Sequence, residues 1–424
     1  MNVAGSLRVP GDKSISHRAL IFGALAGGNG AERTGSRVTG ILQSADVEST
    51  AGVLRALGVD VPPLSQDFTI RGAGRRVQQP HGELDCGNSG TTTRLMAGVV
   101  AASPIHATFV GDASLSRRPM RRIARPLEAM GGTVELPPHA GLPMTIRGGT
   151  LHDIDWRSDV ASAQIKSAIL LAALVAGVRA RVTEPVRSRD HTEKMLAARG
   201  AALRIDGTTV TIEPTATLQP LDTAVPGDPS SAAFFAGLAS LADSGSLRLD
   251  SVLVNETRTG FFQQLRAMGA VVTEENRRSE GGEWVADVLV SPQRLRGVTV
   301  TEADVPSMID ELPLLACLAA RAEGETVITG ANELRVKESD RIAAVVANLC
   351  AIGATAHELP DGMRIEGSDR PLRGRVVTHG DHRLAMAFGV LGAATGNAID
   401  IDDRDCVSVS YPGFWRDLVR VSGP

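Results

Sequence analysis

A helical segment that ends in glycine recurs five times along the chain, and this repeat limits the possible folds more than any other feature. The five glycines are spaced by 69 to 84 residues and are Gly58, Gly131, Gly200, Gly269 and Gly353. A stretch typical of a β-strand follows each glycine. Glycine is favoured just after a helix because the chain turns there with a positive φ. The pattern therefore predicts five helices that end in the same way before a strand.

A second set of helical segments lies between these five, and its members are rich in alanine and leucine on nearly every face. Its six segments span residues 11–28, 86–102, 161–178, 227–242, 308–324 and 380–396. A helix that is apolar on all sides has to be buried, whereas a helix with one polar face can cover an exterior. We therefore expect an inner and an outer helix in each repeat.

Short runs typical of β-strands close the repeats. They lie at residues 68–72, 144–149, 209–214, 286–292 and 363–367. Helices that alternate with strands at this spacing indicate an α/β fold of six units, each about 70 residues long. An irregular two-domain α/β protein is the alternative interpretation of the same pattern.

A duplicated segment, Val-Pro-Gly-Asp, marks the boundary between two domains. It occurs at residues 9–12 and again at 225–228, half a chain apart. Proline and glycine interrupt regular structure, so the copies are interpreted as the two strands of a double hinge. A length of 424 residues also suits two domains. The prediction is an N-terminal lobe of residues 13–225 and a C-terminal lobe of residues 1–12 and 226–424, with three repeats in each.

The overall charge argues against a protein that binds nucleic acid. The formal net charge is −4, and the basic residues are not gathered in a tail, so any basic patch is local. The four cysteines lie far apart without a Cys-x-x-Cys pair. This spacing indicates neither a zinc cluster nor a disulfide framework, and it favours a reducing, cytoplasmic location.

The sequence contains no segment typical of a signal peptide or a membrane span. The first residues lack a basic stretch followed by an apolar one. The most apolar run, residues 167–178, is shorter than the roughly 20 residues needed to cross a bilayer. It is interpreted as a buried core helix, and no membrane partner is expected.

Polar residues at the front of the inner helices indicate anion binding. A helix N-terminus attracts anions through its free N–H groups and its dipole. Arginine binds phosphate or carboxylate through paired hydrogen bonds, and a glycine at such a front lets a ligand approach the backbone. Capped, solvated helix ends and a solvated basic surface are the alternatives. The candidates in the first two repeats are Lys13, Ser14, Arg18, Gly90 and Arg118.

Hydroxyl and amide side chains near the third inner helix suit the recognition of ring hydroxyls. They are Ser162, Gln164 and Ser188, and Arg189 is next in the chain. In the second half, Asp310 lies in an otherwise apolar run, where a carboxylate is costly unless it is paired or functional. We therefore interpret Asp310 as a functional carboxylate.

The charged run at residues 335–341 places Lys337 and Arg341 four residues apart, with Glu338 between them. Residues at this spacing share one face of a helix, so the run predicts two cations side by side. A surface ladder of salt bridges is the competing explanation. Arg383 stands at the front of the last inner helix and would add a further cation.

These motifs give the chain a resemblance, over essentially its whole length, to the 5-enolpyruvylshikimate-3-phosphate synthase family. The segments that carry it, in the family's order and spacing, are GDKSISHRAL, GNSGTTTR, SRRPM, SAQIKSA, RDHTE, DELP, LRVKESDR and DHRLAMA. The resemblance implies the enolpyruvyl transferase fold, a two-lobed inverted α/β barrel with three βαβαββ repeats in each lobe. This expectation agrees with the six units inferred from the repeats.

The resemblance also implies which residues bind the two substrates of that family. Shikimate 3-phosphate would contact Lys13, Ser14, Arg18, Ser162, Gln164, Ser188 or Arg189, Asp310 and Lys337. Phosphoenolpyruvate would contact Lys13, Gly90, Arg118, Gln164, Arg341 and Arg383. No metal or organic cofactor is expected, because the enol phosphate already stores the driving force.

The expected reaction adds the 5-hydroxyl of shikimate 3-phosphate to phosphoenolpyruvate and then eliminates phosphate, in a cleft that closes between the lobes. Asp310 is expected to accept the hydroxyl proton, and either Glu338 or Lys13 to handle the proton at C3. A UDP-N-acetylglucosamine enolpyruvyl transferase is one alternative, although its family places a cysteine in the loop that spans residues 111–122 here without one. A non-catalytic anion-binding protein is the other. We expect a monomer.

Some positions bear on the response to the inhibitor glyphosate. RDHTE and the segment NETR at residues 255–258 are similar to the glyphosate-tolerant class II branch of the family. Tolerant members carry alanine at the position of Gly90, and that methyl group would crowd the inhibitor, so the response stays open. Two further positions depart from the family. A lysine common near the C-terminus is absent at residues 408–412, and a common asparagine is Glu333.

Overall fold

The computed structural model describes residues 1–27 and 35–423, and all the inner and outer helices predicted from the sequence are present. The α-helices are α1 (Lys13–Leu25), α2 (Ala45–Ala56), α3 (Gly90–Ala101), α4 (Ala113–Ser116), α5 (Arg121–Ala129), α6 (Ala163–Ala176), α7 (His191–Ala197), α8 (Pro229–Ser240), α9 (Gly260–Ala267), α10 (Leu312–Ala319), α11 (Arg341–Ala351), α12 (His382–Ala393) and α13 (Phe414–Val421). The inner helices are α1, α3, α6, α8, α10 and α12. Gly28, at the end of the first inner-helix segment, and Pro424, at the end of the second lobe, lie outside the described residues.

The strand-like runs of the sequence correspond to β4, β8, β12, β17 and β21, so these predictions are confirmed. The strands are β1 (Asn2–Val3), β2 (Ser6–Leu7), β3 (Gly35–Thr39), β4 (Asp67–Arg71), β5 (Leu84–Asp85), β6 (His106–Val110), β7 (Thr133–Glu135), β8 (Met144–Arg147), β9 (Ile154–Arg157), β10 (Ala180–Thr183), β11 (Leu203–Asp206), β12 (Thr209–Ile212), β13 (Thr223–Ala224), β14 (Ser244–Gly245), β15 (Leu247–Leu253), β16 (Val271–Glu280), β17 (Glu283–Ser291), β18 (Thr299–Val300), β19 (Glu325–Ile328), β20 (Thr355–Leu359), β21 (Gly362–Glu366), β22 (Arg373–Val376) and β23 (Ala398–Ile401).

The elements divide between two units. The N-terminal unit comprises Gly11–Val225 and Glu280–Glu283, and the C-terminal unit comprises Met1–Pro10, Pro226–Ser279 and Trp284–Pro424. The short segment Glu280–Glu283 belongs to the N-terminal unit, which the repeat pattern does not indicate. The role of residues 9–12 and 225–228 as a hinge stays a prediction.

Side-chain caps fix where the inner helices begin. An aspartate or serine oxygen accepts a hydrogen bond from a backbone N–H in the first turn, over 2.7 to 3.4 Å, in α1, α3, α6, α8 and α12. The capping residues are Asp12, Ser89, Ser162, Asp228 and Asp381. Such caps satisfy donors that a helix cannot satisfy itself. The two Val-Pro-Gly-Asp segments therefore have the same structural role, because each supplies the N-cap of the first inner helix of its unit.

Left-handed glycines end the outer helices as predicted. The five repeat glycines have φ between +81° and +104°, a conformation that other residues adopt only with strain. Each allows the chain to leave its helix, and a strand follows closely except after Gly58, where Asp60 forms an isolated bridge before β4. The prediction of five equivalent helix ends is confirmed.

Parallel strands frame the inner helices. In four repeats the inner helix connects two parallel neighbouring strands. These are β5 and β6 around α3, β9 and β10 around α6, β18 and β19 around α10, and β22 and β23 around α12. The first repeat of each unit obtains its parallel strand from a distant part of the chain. In the N-terminal unit β13 pairs with β3, and in the C-terminal unit β2 pairs with β15.

The first and sixth repeats depart from the βαβαββ pattern. In the first, a single strand, β4, follows the outer helix. In the sixth, no hairpin follows α13 within residues 1–27 and 35–423, and β22 and β23 form a two-stranded sheet. The six units expected from the sequence are therefore present, four of them with every element of the pattern and two in shortened form.

The inner helices form the core of each unit. Every residue of α8 is buried, and α8, α10 and α12 pack against one another. In the N-terminal unit, α3 packs against both α1 and α6. None of the helices in the described part of the chain is both long and apolar enough to cross a membrane.

Candidate active site

Lys13 is the first residue of α1, and an ion pair fixes its side chain. Lys13 Nζ donates to Asp46 Oδ2 in α2 over 2.7 Å. The lysine side chain is 27% exposed, whereas the aspartate is 9% exposed. The ammonium group therefore stands at the front of the helix with its partner largely covered behind it.

Arg18 lies one turn further along α1 and is almost fully buried. Its Nε donates to Thr192 Oγ1 over 2.7 Å and its Nη2 to Ser167 Oγ over 2.9 Å. Burial lowers the pKa of Arg18 to about 10, against an opposing effect of Glu193, so the side chain remains a cation at neutral pH. Neutral hydroxyl partners leave this charge able to attract an anion.

Hydroxyl groups link the fronts of α1, α2 and α3. His17 Nδ1 lies 2.7 Å from Thr50 Oγ1, Thr50 Oγ1 lies 2.6 Å from Thr92 Oγ1, and Thr92 Oγ1 donates to Ser89 Oγ over 2.7 Å. Burial lowers the pKa of His17 to about 3, which keeps the imidazole neutral. This chain ties Lys13 and Gly90 to one rigid support.

Gly90 is the first residue of α3 and lies beside two guanidinium groups. A Cβ atom at this position would lie 2.8 Å from Arg94 Nη1 and 3.5 Å from Arg118 Nη1. Arg94 Nη1 also donates to Gln164 Oε1 over 2.7 Å, and Arg118 Nη2 donates to Asn88 Oδ1 over 2.8 Å. Gly90, Arg118 and Gln164, which the sequence predicts as site residues, are thus brought together.

Arg94 is a candidate site residue that the sequence analysis did not single out. It is 5% exposed in a buried inner helix, and it stands four residues after Gly90, so it shares a helix face with the glycine. A buried arginine at this spacing is the signal that could have identified it.

Ser162 and Ser188 meet at a buried carboxylate. Glu184 Oε1 accepts from the backbone N of Ser162 over 2.8 Å and from Ser188 Oγ over 2.7 Å. Ser162 caps α6, and Ser188 is buried, whereas its neighbour Arg189 is partly exposed. Ser188 therefore directs its proton toward Glu184 in this structure. The sequence analysis did not single out Glu184.

In the C-terminal unit, Asp310 lies between two cations. Asp310 Oδ1 is 3.4 Å from Lys337 Nζ and 3.4 Å from Arg341 Nη1. Arg341 Nη2 in turn donates to Glu338 Oε2 over 2.7 Å. Four residues that the sequence predicts as site residues are therefore in direct contact.

Arg341 is buried and held by a second carboxylate. Its Nε donates to Asp381 Oδ2 over 2.8 Å, and both side chains are at most 1% exposed. Burial by itself would lower the pKa of Arg341, but Asp381 and Glu338 raise the pKa above its usual value. Burial likewise would raise the pKa of Asp381, yet the guanidinium lowers it. Each partner therefore favours the charged form of the other, and the ion pair fixes the guanidinium at the front of α12.

The run around Lys337 does not form one helix, so the prediction that Lys337 and Arg341 share a helical face is wrong. Residues Asn332–Val336 form a 3-10 turn, Lys337 is extended, and α11 begins at Arg341. Asp340 caps α11 through the N–H of Ala343, and this local cap restarts the helix. The two cations still meet, because both contact Asp310.

Asp310 and its neighbour Glu311 precede the helix rather than lying inside it. They belong to a 3-10 turn, Ile309–Glu311, and α10 begins at Leu312. Glu311 is 2% exposed, and Arg383 Nη1 lies 3.9 Å from its Oε1. Arg383 stands in the first turn of α12, as expected.

The C-terminal segment that lacks the family lysine is part of the core. Tyr411 is buried, and its hydroxyl donates to Asp417 Oδ2 over 2.9 Å. Ser410 is buried as well. Glu333 is exposed in the 3-10 turn before Lys337.

Ligand atoms of Asp190, His191 and Glu283 lie within 4.8 Å of one another, close enough to hold a metal ion. His191 Nδ1 lies 2.7 Å from Glu283 Oε1, and Lys194 Nζ lies 3.3 Å from Asp190 Oδ1. Arg187 pairs with Asp190 as well. Two cations already compensate these carboxylates, so the group is a salt-bridge network that fixes the start of α7.

The comparison with protein families agrees with this arrangement. The family model of EPSP synthase (3-phosphoshikimate 1-carboxyvinyltransferase) matches residues 1–418. The chain belongs to the EPSP synthase family. A 3-phosphoshikimate 1-carboxyvinyltransferase of Sulfurihydrogenibium sp. (strain YO3AOP1) is 48% identical over 426 residues, which cover 99% of this chain and 97% of the relative. Another, from Alkalilimnicola ehrlichii, is 50% identical over 413 residues, which cover 97% of this chain and 91% of the relative.

Solved structures extend the family assignment to the fold. An EPSP synthase from Acinetobacter baumannii superposes with a TM-score of 0.88 at 40% identity, covering 100% of this chain and 96% of that one. The enolpyruvyl transferase NikO from Streptomyces tendae has a TM-score of 0.75 at 18% identity, covering 100% and 96%. This second likeness shows the fold alone. The enolpyruvyl transferase fold predicted for this member of the EPSP synthase family is confirmed.

The two clusters differ in what they can do chemically. The N-terminal cluster presents cations and hydroxyls at three helix fronts, which suits the binding of phosphate and carboxylate groups. The C-terminal cluster adds carboxylates, Asp310 and Glu338, that are partly exposed and contact cations. Carboxylates in this setting can accept or donate protons.

Proposed function

We propose that the chain transfers the enolpyruvyl group of phosphoenolpyruvate to the 5-hydroxyl of shikimate 3-phosphate and releases phosphate. The product would be 5-enolpyruvylshikimate 3-phosphate. The observation that carries the proposal is the full-length similarity, near 50% identity, to relatives named for this activity. The charged clusters support it, because both substrates are anions.

We assign the binding of shikimate 3-phosphate mainly to the N-terminal cluster. The residues proposed to contact it are Lys13, Ser14, Arg18, Ser162, Gln164, Ser188 or Arg189, with Asp310 and Lys337 of the C-terminal cluster. The buried position of Ser188 and its bond to Glu184 favour Arg189 as the group that meets the phosphate. Arg18 supports this role, because its hydrogen-bond partners in α6 and α7 are neutral hydroxyls.

Phosphoenolpyruvate is assigned to the arginines of both clusters. The proposed contacts are Lys13, Gly90, Arg118, Gln164, Arg341 and Arg383, and we add Arg94 because its guanidinium lies beside Gly90 and Gln164. The glycine leaves room for an anion next to two guanidinium groups. Fixed cations of this kind stabilise the negative charge that develops during addition and elimination.

Proton transfer is assigned to the carboxylates. Asp310 would accept the proton of the 5-hydroxyl, and Glu338 or Lys13 would handle the proton at C3. Lys337 and Arg341 hold Asp310 in place, which supports its role as a positioned base. The leaving phosphate supplies the driving force, so no step is routed through a metal or cofactor.

The activity is tested by phosphate release from phosphoenolpyruvate with the purified protein. We expect release only when shikimate 3-phosphate is present. No release with shikimate 3-phosphate, or release with UDP-N-acetylglucosamine in its place, would refute the assignment. A glyphosate series in the same assay measures the sensitivity that the sequence leaves open.

A further inference from the structure

A single buried carboxylate connects two loops that carry proposed substrate ligands. Glu184 is 3% exposed, and its oxygens accept hydrogen bonds from three other residues. The donors are the backbone N of Ser162 at 2.8 Å, the hydroxyl of Ser188 at 2.7 and 2.9 Å, and Nζ of Lys166 at 2.7 Å. One side chain thus holds the start of α6 and the loop before α7 together.

The strand order of the third repeat places Glu184 where a ligand is expected. β9 and β10 are parallel neighbours, so their carboxyl ends lie at the same edge of the sheet, where ligands of α/β proteins commonly bind. Glu184 directly follows β10, and the segment after β9 leads to Ser162. The last backbone bond that the structure describes between the two segments joins Ser158 N to Thr183 O over 2.9 Å, and beyond it Glu184 links the two loops through its side chain.

Lys166 makes a buried carboxylate tolerable at this position. Lys166 Nζ lies 2.7 Å from Glu184 Oε2 and 2.8 Å from Glu193 Oε1, and all three side chains are at most 2% exposed. Burial by itself would lower the pKa of Lys166, but Glu193 and Glu184 raise it above its usual value. An isolated buried carboxylate is strongly unfavourable, whereas a paired one with satisfied lone pairs persists.

The hydrogen bonds also determine what each serine offers to a ligand. Ser188 donates its proton to Glu184, so its hydroxyl oxygen can act only as an acceptor toward any other group. Ser162 Oγ accepts from the N–H of Ile165 over 3.4 Å, and its own proton is directed to none of the residues that the structure describes. A hydroxyl donor at a helix front is suited to a phosphate oxygen.

We propose that Glu184 is a positioning residue for the phosphate end of shikimate 3-phosphate, and that it acts by fixing the separation of Ser162 from the loop of Ser188 and Arg189. This inference rests on the proposed function. It assigns no chemical step to Glu184. It predicts an effect on the binding of one substrate, and little effect on turnover once that substrate is bound.

The test compares Glu184→Ala and Glu184→Gln with the control Glu213→Gln. Glu213 belongs to the same repeat and also pairs with a cation, Arg179, but both side chains are about half exposed. We expect Glu184→Ala to raise the Kd and KM for shikimate 3-phosphate at least about tenfold, the usual scale for losing hydrogen bonds to a charged group. The isosteric Glu184→Gln keeps one acceptor, so about threefold is expected. Neither variant should change kcat, or KM for phosphoenolpyruvate, by more than about threefold, and Glu213→Gln should match the unmodified protein.

The outcomes separate this inference from the function on which it rests. If the unmodified protein does not bind shikimate 3-phosphate in calorimetry, the proposed function fails and this inference fails with it. If it binds, and both Glu184 variants bind equally well while only their Tm falls, Glu184 is merely a folding partner of Lys166 and the inference alone is overturned. Glu184→Gln preserves the shape of the side chain, so it decides the question even if Glu184→Ala does not fold.

A double-mutant cycle tests how Glu184 acts. If it works by holding Ser188, Ser188→Ala should weaken binding of shikimate 3-phosphate on its own, and adding it to Glu184→Ala should cause little further loss. Fully additive losses would overturn the proposed route through Ser188.

Discussion

At the scale of single residues, the environment of Asp310 determines how a change there should appear. The carboxylate contacts Lys337 and Arg341, which are themselves proposed ligands, so its removal could disturb binding as well as proton transfer. An isosteric change separates the two effects. Asp310→Asn keeps the volume and one oxygen while it removes the base.

We therefore expect Asp310→Asn to lower kcat by at least about 100-fold, as is typical for the loss of a general base. The KM for shikimate 3-phosphate should change by less than about threefold, because the amide still fills the space between the two cations. Steady-state kinetics in both substrates measure this. The exposed residue Asp369 of the same unit provides the control Asp369→Asn, which should be silent. Equal loss of kcat and of substrate affinity would contradict a role as base.

Gly90 should respond to the smallest possible substitution. The methyl group of Gly90→Ala would lie 2.8 Å from Arg94 Nη1, so the guanidinium has to move away from Gln164. We expect the KM for phosphoenolpyruvate to rise several-fold, roughly three to ten, since one positioned cation is displaced. The inhibition constant for glyphosate should be measured in the same series.

Gly52→Ala is the matched control for Gly90→Ala, because Gly52 is also helical and a Cβ atom there meets nothing within 4 Å. It should leave the KM unchanged. A normal KM in Gly90→Ala would mean that Arg94 does not contribute to binding phosphoenolpyruvate.

His17 gives the protein a specific pH dependence of stability. Burial lowers its pKa to about 3, whereas an unfolded histidine titrates near 6.5. Between these pH values His17 is protonated in the unfolded state but not in the folded state. The free energy of unfolding therefore decreases as the pH falls below about 6.5, by up to about 1.4 kcal/mol per pH unit. His17→Asn should remove this contribution from urea unfolding midpoints measured between pH 7 and 5. His152→Asn, at an exposed histidine, should not, and an unchanged slope in His17→Asn would contradict the assignment.

The sequence indicated some of these residues and missed others for a physical reason. Lys13 and Arg383 were predicted because they stand at helix fronts, which is a local property of the sequence. Arg94 and Glu184 were missed because their significance depends on partners from other elements, namely Gln164 and Ser162. No local pattern shows that a buried charge in one element will meet a ligand-bearing group of another element.

At the scale of secondary-structure elements, the helix ends were the most predictable feature. At each repeat glycine the backbone has to be left-handed so that the chain can turn out of its helix. This requirement does not depend on the tertiary context. At Gly353 the effect of the backbone conformation can be measured without steric contacts, because φ is +92° and a Cβ atom there would meet nothing within 4 Å.

Gly353→Ala should therefore lower the free energy of unfolding by about 1 kcal/mol through backbone strain alone. Gly149 is the control, since it also has open space around it but no positive φ, and Gly149→Ala should be neutral or slightly stabilising. Urea unfolding compares the two. Equal midpoints would show that the left-handed turn at Gly353 can be replaced without cost.

The same scale shows where a helical pattern misled the prediction. The spacing of Lys337 and Arg341 fits one helix, yet Asp340 caps the backbone at Ala343 and begins a new helix in the middle of the run. Aspartate is among the strongest caps. Leu334, in the 3-10 turn before Lys337, is fully buried, and the charged run itself does not reveal this packing.

At the scale of the whole molecule, each unit completes its first sheet with a strand from a distant part of the chain, β13 in the N-terminal unit and β2 in the C-terminal unit. The stability of each sheet therefore depends on residues far apart in the sequence. Leu7 in β2 is 2% exposed and lies opposite Leu249 of β15. We expect Leu7→Ala to destabilise the C-terminal unit by about 3 kcal/mol, the usual cost of truncating a buried leucine. Hydrogen exchange should show the loss of amide protection in the C-terminal unit and leave the N-terminal unit unchanged.

Val38→Ala provides the converse experiment. Val38 is buried in β3 opposite Thr223 of β13, so its loss should weaken protection in the N-terminal unit only. Loss of protection in both units after either change would show that the two units unfold together rather than independently.

The position of β2 has a consequence for synthesis. Residues 2–7 leave the ribosome before the N-terminal unit does, but their partners β14 and β15 are translated more than 230 residues later. The N-terminal unit needs β13 at residues 223–224 to finish its own first sheet, so that sheet can form as soon as β13 has emerged. The opening segment must wait unpaired throughout. A nascent chain that has emerged to about residue 230 would carry an N-terminal unit that lacks only Glu280–Glu283, together with an unpaired strand of the C-terminal unit.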